Sequence, residues 1–236
     1  MIVPQILPAS VQLELLDQLF HQELSQPMHN TNLKMFHHVS YPLEAQSFFQ
    51  LDQDLKHEPK DTRLHRPIST KQMLDKHLRW VTLGGQYDWT KKQYPDEKPP
   101  QFPPRIARLI KGIFPQLEPQ AAILNLYSPG DTLSLHRDVS EECAEPLVSI
   151  SIGCDALFLI ANTDGSKYQI MKLRSGDAVL MSGQSRFAWH AVPKVLGDTC
   201  PVEVEDWPAV RETEYEEWKG WLAQKRINLN VRQMRP

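Results

Sequence analysis

The sequence is poor in cysteine, has no long apolar run and carries no excess of positive charge. Its three cysteines, Cys143, Cys154 and Cys200, are odd in number and show no C-x-x-C spacing. That disfavours a disulfide framework or a cysteine-rich zinc site and suits free or buried thiols in a reducing compartment. No stretch approaches the roughly 18 uninterrupted apolar residues of a membrane-spanning helix. The first twenty residues show neither a basic leader before an apolar run nor an Arg-rich transit pattern, so the expected location is cytoplasm and nucleus, with no membrane partner. With a formal net charge of -3, the chain must meet any polyanion through a local basic patch or an enclosing pocket. No internal repeat or low-complexity tract is present. What remains is 236 residues, 41% hydrophobic and 23% charged, which is the balance of a soluble globular chain able to bury a sizeable core.

From Ser10, a plausible N-cap, the apolar residues Leu13, Leu16, Leu19, Phe20 and Leu24 recur at helical spacing. Residues 26–70, broken by Pro27, Pro42, Pro59 and Pro67, read as loops and short elements. A second helix follows Pro103-Pro104, with Ile106, Leu109, Ile110, Ile113 and Phe114 on one face. After Pro119 the texture changes to short segments rich in Ile, Val, Leu and aromatics: 121–127, 147–153, 156–160, 168–173, 178–181 and 227–231. Turn signals such as Ser128-Pro129-Gly130-Asp131 separate most of them. This predicts helices packed on a mainly antiparallel β sandwich or barrel. Residues 194–225 interrupt the rhythm with Asp198, Glu203, Glu205, Asp206, Glu212, Glu214, Glu216 and Glu217. They read as a solvated acidic insertion with a short helix near 214–224.

His136-Arg137-Asp138 follows a predicted strand and its turn. In extended chain, residues two apart share a face, so both side chains can reach one metal ion. Alone the motif is weak: chance supplies roughly half an H-x-D in such a chain, and a surface turn with a His-Asp hydrogen bond explains it as well. His190, in a late β segment, strengthens it, because two imidazoles and a carboxylate make the facial triad of non-haem Fe(II) oxygenases. His21-x-Glu23 has the same spacing but lies on a predicted helix, where side chains two apart diverge, so it is rejected as a chelate. The segment 226–232 alternates Arg226, Asn228, Asn230 and Arg232 with aliphatic residues. It reads either as an edge strand with its polar face to solvent or as a clamp for a dicarboxylate, which arginine grips with two parallel hydrogen bonds.

With these motifs together the sequence resembles the AlkB family of Fe(II)- and 2-oxoglutarate-dependent dioxygenases, and within it the first eukaryotic homologue. Asn125-Leu126-Tyr127 matches the family's N-x-Y, Arg226 to Arg232 its R-x-N-x-x-x-R, and Ser182 to Arg186 the stretch before the distal histidine. The resemblance covers residues from about 79 onward. It implies an α+β fold, a double-stranded β-helix (jelly-roll) core at 121–236 with N-terminal supporting helices, an extension at 1–78 and a nucleotide-recognition lid at 79–94. It further implies iron on His136, Asp138 and His190, and 2-oxoglutarate held by Asn125, Tyr127, Arg226, Asn228 and Arg232. Arg226 takes the distal carboxylate and Arg232 neutralises the iron-chelating end, with O2 as the other cosubstrate.

The implied activity is oxidative demethylation of N-methylated bases in DNA or RNA, tRNA included, releasing formaldehyde, succinate and CO2. Such chemistry serves DNA repair or RNA modification. Trp80 and Tyr87 match aromatic positions that flank a flipped base, and stacking gives a physical reason for them. Trp89 serves equally as an anchor of the lid to the core. Lys71, Lys76, Arg79, Lys91 and Lys92 lie around the lid in sequence and are candidates to track phosphates. Ser140 stands where the bacterial founder has a second acidic residue, so base preference does not carry over. Two other classes remain open: a dioxygenase acting on a protein side chain such as a histone tail, favoured by the acidic insertion, and a non-catalytic jelly-roll binding module.

Overall fold

The computed structural model describes residues 1–210 and 213–235. Its strands are β1 (Ile2–Val3), β2 (His37–His38), β3 (Lys56–Pro59), β4 (Ile68–Ser69), β5 (Trp80–Gly84), β6 (Ala121–Tyr127), β7 (Leu133–His136), β8 (Leu147–Gly153), β9 (Ala156–Ala161), β10 (Tyr168–Leu173), β11 (Ala178–Met181), β12 (Trp189–Val195) and β13 (Arg226–Arg232). All pair antiparallel. A six-stranded sheet runs β1-β11-β8-β13-β6-β5 and a four-stranded sheet β10-β9-β12-β7, the two sheets of a jelly roll; β2-β3-β4 form a small third sheet.

The two longest helical pieces are α1 (Ala9–Leu16) and α2 (Pro104–Ile113). Against expectation, α1 is capped by Pro8 rather than Ser10. The fixed φ of proline sets the entry at -58°, and Ser10 lies inside the first turn. The helix then widens into a π-helical stretch, Asp17–Glu23, which keeps Leu19, Phe20 and Leu24 buried. α2 starts with Pro104 at its first turn, as expected, and buries Ile106 and Ile110.

Alternation along β13 divides the interior. Ile227, Leu229 and Val231, each at most 1% exposed, join the apolar cluster formed with the helices. Arg226, Asn228, Asn230 and Arg232 face the space between the two sheets, which a smaller cluster of Tyr127, Phe158, Met181, Val192 and neighbours partly fills. β13 is flanked by β8 and β6, so the edge-strand reading of 226–232 is excluded. Gly153 turns β8 into β9 at φ +88°, where a Cβ would sit 2.3 Å from the Lys225 carbonyl oxygen; only glycine lets the turn approach the start of β13 this closely.

The acidic stretch 194–225 differs from the expected solvated loop. Its glutamates at 203, 214, 216 and 217 do face water, but Val204, Trp207, Tyr215, Trp218, Trp221 and Leu222 are buried in the main core. Phe20 and Phe49 meet this group edge-on or tilted, with ring centroids 5.1–5.4 Å from Trp207, Trp218 and Trp221. The charge count hid an aromatic anchor. Its short helical pieces, Thr213–Trp218 and Leu222–Gln224, are 3-10 rather than α; Glu212 lies outside the described residues.

Candidate active site

β7 ends at His136 and β12 carries His190 directly opposite it, so strand register brings the two imidazoles together, tilted by 55° with ring centroids 4.2 Å apart. Asp138 lies just past the strand end, and its carboxylate turns back between them. Its Oδ1 is 4.0 Å from His136 Nε2 and its Oδ2 3.8 Å from His190 Nε2. The three potential ligand atoms lie within 4.8 Å of one another. Each imidazole donates its Nδ1–H to a nearby carbonyl, His136 to Ser134 at 2.8 Å and His190 to Ala188 at 3.1 Å. That leaves both Nε2 lone pairs aimed at a common point. Burial keeps His190 neutral by lowering its pKa below 6.5. Burial alone would raise the Asp138 pKa, but Arg232 and the two histidines outweigh it and hold the carboxyl below its ordinary value. Two imidazoles and a carboxylate are the donor set that suits Fe(II).

The triad opens into a cavity of about 540 Å³ between the sheets. At one end Arg226 is 1% exposed, and of its nitrogens Nη2 donates to Ser151 Oγ at 3.0 Å while Nε and Nη1 have no partner. Tyr127 lies against it, 5.5 Å from guanidinium carbon to ring centre. Burial lowers the Arg226 pKa to about 10. A buried cation with idle donors is costly unless an anion completes it, and a carboxylate matches its geometry. Asn228 is fixed by Ser149 Oγ and the Ile150 carbonyl; Asn125 lines the same cavity.

Arg232 sits at the triad end. It donates to Glu141 Oε1 at 2.8 Å and meets Asp138 Oδ2 at 3.4 Å. Glu141 is wholly buried, and its other oxygen accepts from Arg186 Nη2 at 2.8 Å. Arg186 in turn donates to the backbone carbonyls of Asp138 and Glu145. This Arg–Glu–Arg bridge, together with the Asn230 amide on Asp138 Oδ2, locks the loop after β7 onto β13. Sequence reasoning missed Glu141, Arg186 and Asn230 as supports of Asp138. Glu141 lies three residues beyond Asp138, which was the one local signal available.

The lid residues divide. Tyr87 lines the cavity and its hydroxyl meets Ser140 Oγ at 3.3 Å, tying lid to metal-site loop. Trp89, 41% exposed, also lines it. Trp80 does not: it packs on Trp89 at 5.2 Å and faces an adjoining cavity. Tyr94, unnoticed in the sequence, has a buried hydroxyl without a partner, and burial pushes its pKa up to about 12. Of the basic residues, Arg79 is taken by Asp131 at 2.8 Å and Lys71 by Asp75 and the Trp218 ring. Lys92 lines the cavity and Lys91 is exposed.

Residues 1–232 match the 2OG-Fe(II) oxygenase superfamily. The chain is 48% identical to "N6-methyladenosine RNA demethylase ALKB1" of Pyricularia oryzae, over all of this chain and 74% of that protein. It is 48% identical to "N6-methyladenosine RNA demethylase ALKBH" of Cryphonectria parasitica, over 91% of this chain and 98% of that one. It is 38% identical to "tRNA demethylase abh1" of Schizosaccharomyces pombe, over all of this chain and 79% of that one. Among solved structures it superposes on OsALKBH1 with TM-score 0.62 at 21% identity, covering 98% of this chain and 95% of that one, a likeness of fold.

Proposed function

Because the chain belongs to the AlkB family of 2OG-Fe(II) oxygenases, we propose that it removes methyl groups from N-methylated bases in single-stranded nucleic acid, RNA and tRNA first among them. The carrying observation is the cavity itself: three convergent ligand atoms at one end, a buried arginine with two nitrogens unpartnered among the described residues at the other, and aromatic lid residues above. The names of the relatives with the greatest shared length favour RNA over DNA.

His136, Asp138 and His190 hold the iron. Arg226 beside Tyr127 grips the distal carboxylate of 2-oxoglutarate, while Asn125 and Asn228 line its path and Arg232 steadies the end nearest the metal. Iron, O2 and the oxo acid together supply oxidation of the N-methyl carbon, which leaves as formaldehyde while the oxo acid leaves as succinate and CO2. The protein needs no nucleophile or general base for this; its residues position the reactants and exclude water. Tyr87 and Trp89 present ring faces to a base drawn into the cavity.

The test is mass spectrometry of N-methylated single-stranded RNA, tRNA and DNA incubated with protein, Fe(II), 2-oxoglutarate and ascorbate, with His136→Ala/Asp138→Ala protein as control. Methyl loss matched by succinate and absent from the control is the expected result. Succinate without methyl loss from any nucleic acid refutes the substrate class and directs attention to methylated peptides.

A further inference from the structure

A second cavity of about 450 Å³ adjoins the metal cavity. Tyr87 and Trp89 line both, so their rings form a partition between the two spaces. Trp80 lines only the second, together with Asn30 and Met35 from the N-terminal segment. The partition is braced: Tyr87 meets Trp89 edge-on at 4.9 Å and Tyr94 at 5.4 Å, and Trp80 backs Trp89. The volume falls in the range of small-molecule sites, about 300–1,000 Å³.

A target base drawn into the metal cavity is unstacked from its neighbour in the strand, and that neighbour needs a new partner for its face. Two cavities separated by aromatic rings, close enough to share them, fit two successive bases with the partition between. Cations stand at each: Lys92 lines the metal cavity and Lys98 the second, and neither makes an ion pair among the described residues. Lys34, which also lines the second cavity, is committed elsewhere, since its ammonium donates to the Pro27 carbonyl and lies over the Tyr41 ring. Asp88 and Glu97 border the same space, so recognition there rests on stacking, with phosphate contact left to the two exposed lysines.

We propose that the second cavity holds the base next to the target in a single-stranded substrate, stacked against Trp80 and Trp89. This rests on the nucleic-acid reading above. It also accounts for Trp80 facing away from the metal cavity while remaining an aromatic surface on the lid.

The experiment compares kcat/KM of the Fe(II)-loaded protein for a methylated RNA pentamer with that for the same pentamer carrying abasic sites on both sides of the target. The intact pentamer is expected to be favoured roughly tenfold, the usual worth of stacking one base on an aromatic side chain. In Trp80→Ala protein that preference should collapse, because the base and its platform act as one coupled pair. Should Trp80→Ala fail to fold, Met35→Trp asks the same question by filling the cavity from the N-terminal segment, at a position already 47% exposed. Equal treatment of both pentamers by the native protein overturns the proposal, as does a preference that survives in the variant. Methyl loss from neither pentamer, with succinate still forming, overturns the nucleic-acid reading and this inference with it.

Discussion

Arg226 gives the sharpest test of the site, because two measurements on one substitution should move in opposite directions. Its guanidinium is buried, bonds only Ser151, and leaves Nε and Nη1 unmatched. Without cosubstrate the protein bears the cost of an uncompensated buried charge; with it, a carboxylate gains two parallel charge-assisted bonds. Arg226→Met retains an unbranched side chain of comparable reach and removes the charge. The metal-loaded but cosubstrate-free variant should therefore be at least as stable to urea as the native protein. Its affinity for 2-oxoglutarate should fall by about 2–5 kcal/mol, the cost of truncating one partner of a buried charged pair, or roughly 30-fold to several thousandfold. Native protein at 100 times the dissociation constant gains about 2.7 kcal/mol from the ligand, so its Tm should rise by about 5–10 °C for a chain of this size. The variant should show no such rise at the same concentration. Calorimetric titration of 2-oxoglutarate in anaerobic Fe(II) reads the first quantity and thermal melts read the second. An Arg226→Met protein that loses several kcal/mol of unliganded stability yet binds 2-oxoglutarate normally would falsify the assignment and make Arg226 a structural residue.

Breaking the buried bridge at its centre, Glu141→Ala, should cost about 3–5 kcal/mol in urea unfolding because buried Arg186 loses its carboxylate partner and buried Arg232 the nearer of its two; a loss under 1 kcal/mol would show the bridge to be dispensable. Trp207→Ala should cost about 3–5 kcal/mol as a large core truncation, whereas a solvated insertion would lose almost nothing. Stability should also fall as pH drops from 7 toward 5. Burial lowers the pKa of His29 and His57 below 6.5, so the unfolded chain takes up protons first, and their contribution, present above 6.5, is lost as pH falls through the folded values. Glu23, whose pKa burial raises, opposes this only nearer its ordinary 4.5; a Tm that stays flat from pH 7 to 5 contradicts the assignment.

The strands legible in the sequence were those with runs of aliphatic and aromatic residues bounded by turn signals, the exposed edge strand β10 among them. β6, β8 and β13 read as apolar or alternating runs because packing demands it, and the polar half of β13 marked the side turned toward the cavity. β7 was not legible: Leu133-Ser134-Leu135-His136 alternates over only four residues and Leu135 is exposed, so its place is set by pairing with β12. The triad was legible as a combination of motifs, but the geometry of its third member was not, for Asp138 lies beyond the strand end and is aimed by Arg186, Arg232 and Asn230 from far along the chain. The acidic insertion misled because charge is counted per residue whereas burial is decided by Trp207, Trp218 and Trp221 standing between the charges. Trp80 and Tyr87, seven residues apart, looked equivalent on a lid; only the fold shows that Tyr87 reaches the metal cavity and Trp80 does not.

The same buried groups set how metal and cosubstrate should depend on each other. Arg186 and Arg232 pair with Asp138 and Glu141, and Arg226 stands at the other end of the cavity, so three buried guanidinium groups meet two carboxylates and the interior carries an excess of one positive charge. A divalent cation alone raises that to three and a dicarboxylate alone reverses its sign, whereas the two together leave it unchanged. In a site shielded from water such imbalances are expensive, so each partner should strengthen the other's binding, by the same factor in both directions. Coupling between sites of this kind is commonly about 5- to 150-fold. Glu141→Gln removes one of the two balancing carboxylates without changing size, so metal alone should bind more weakly and 2-oxoglutarate alone more tightly, while the coupling, set by the two ligands' own charges, should stay the same. Titrating Mn(II) with and without 2-oxoglutarate, and the reverse, measures both arms in native and variant protein. Affinities for metal alone and for 2-oxoglutarate alone that are both unaltered in Glu141→Gln would show that charge balance contributes nothing.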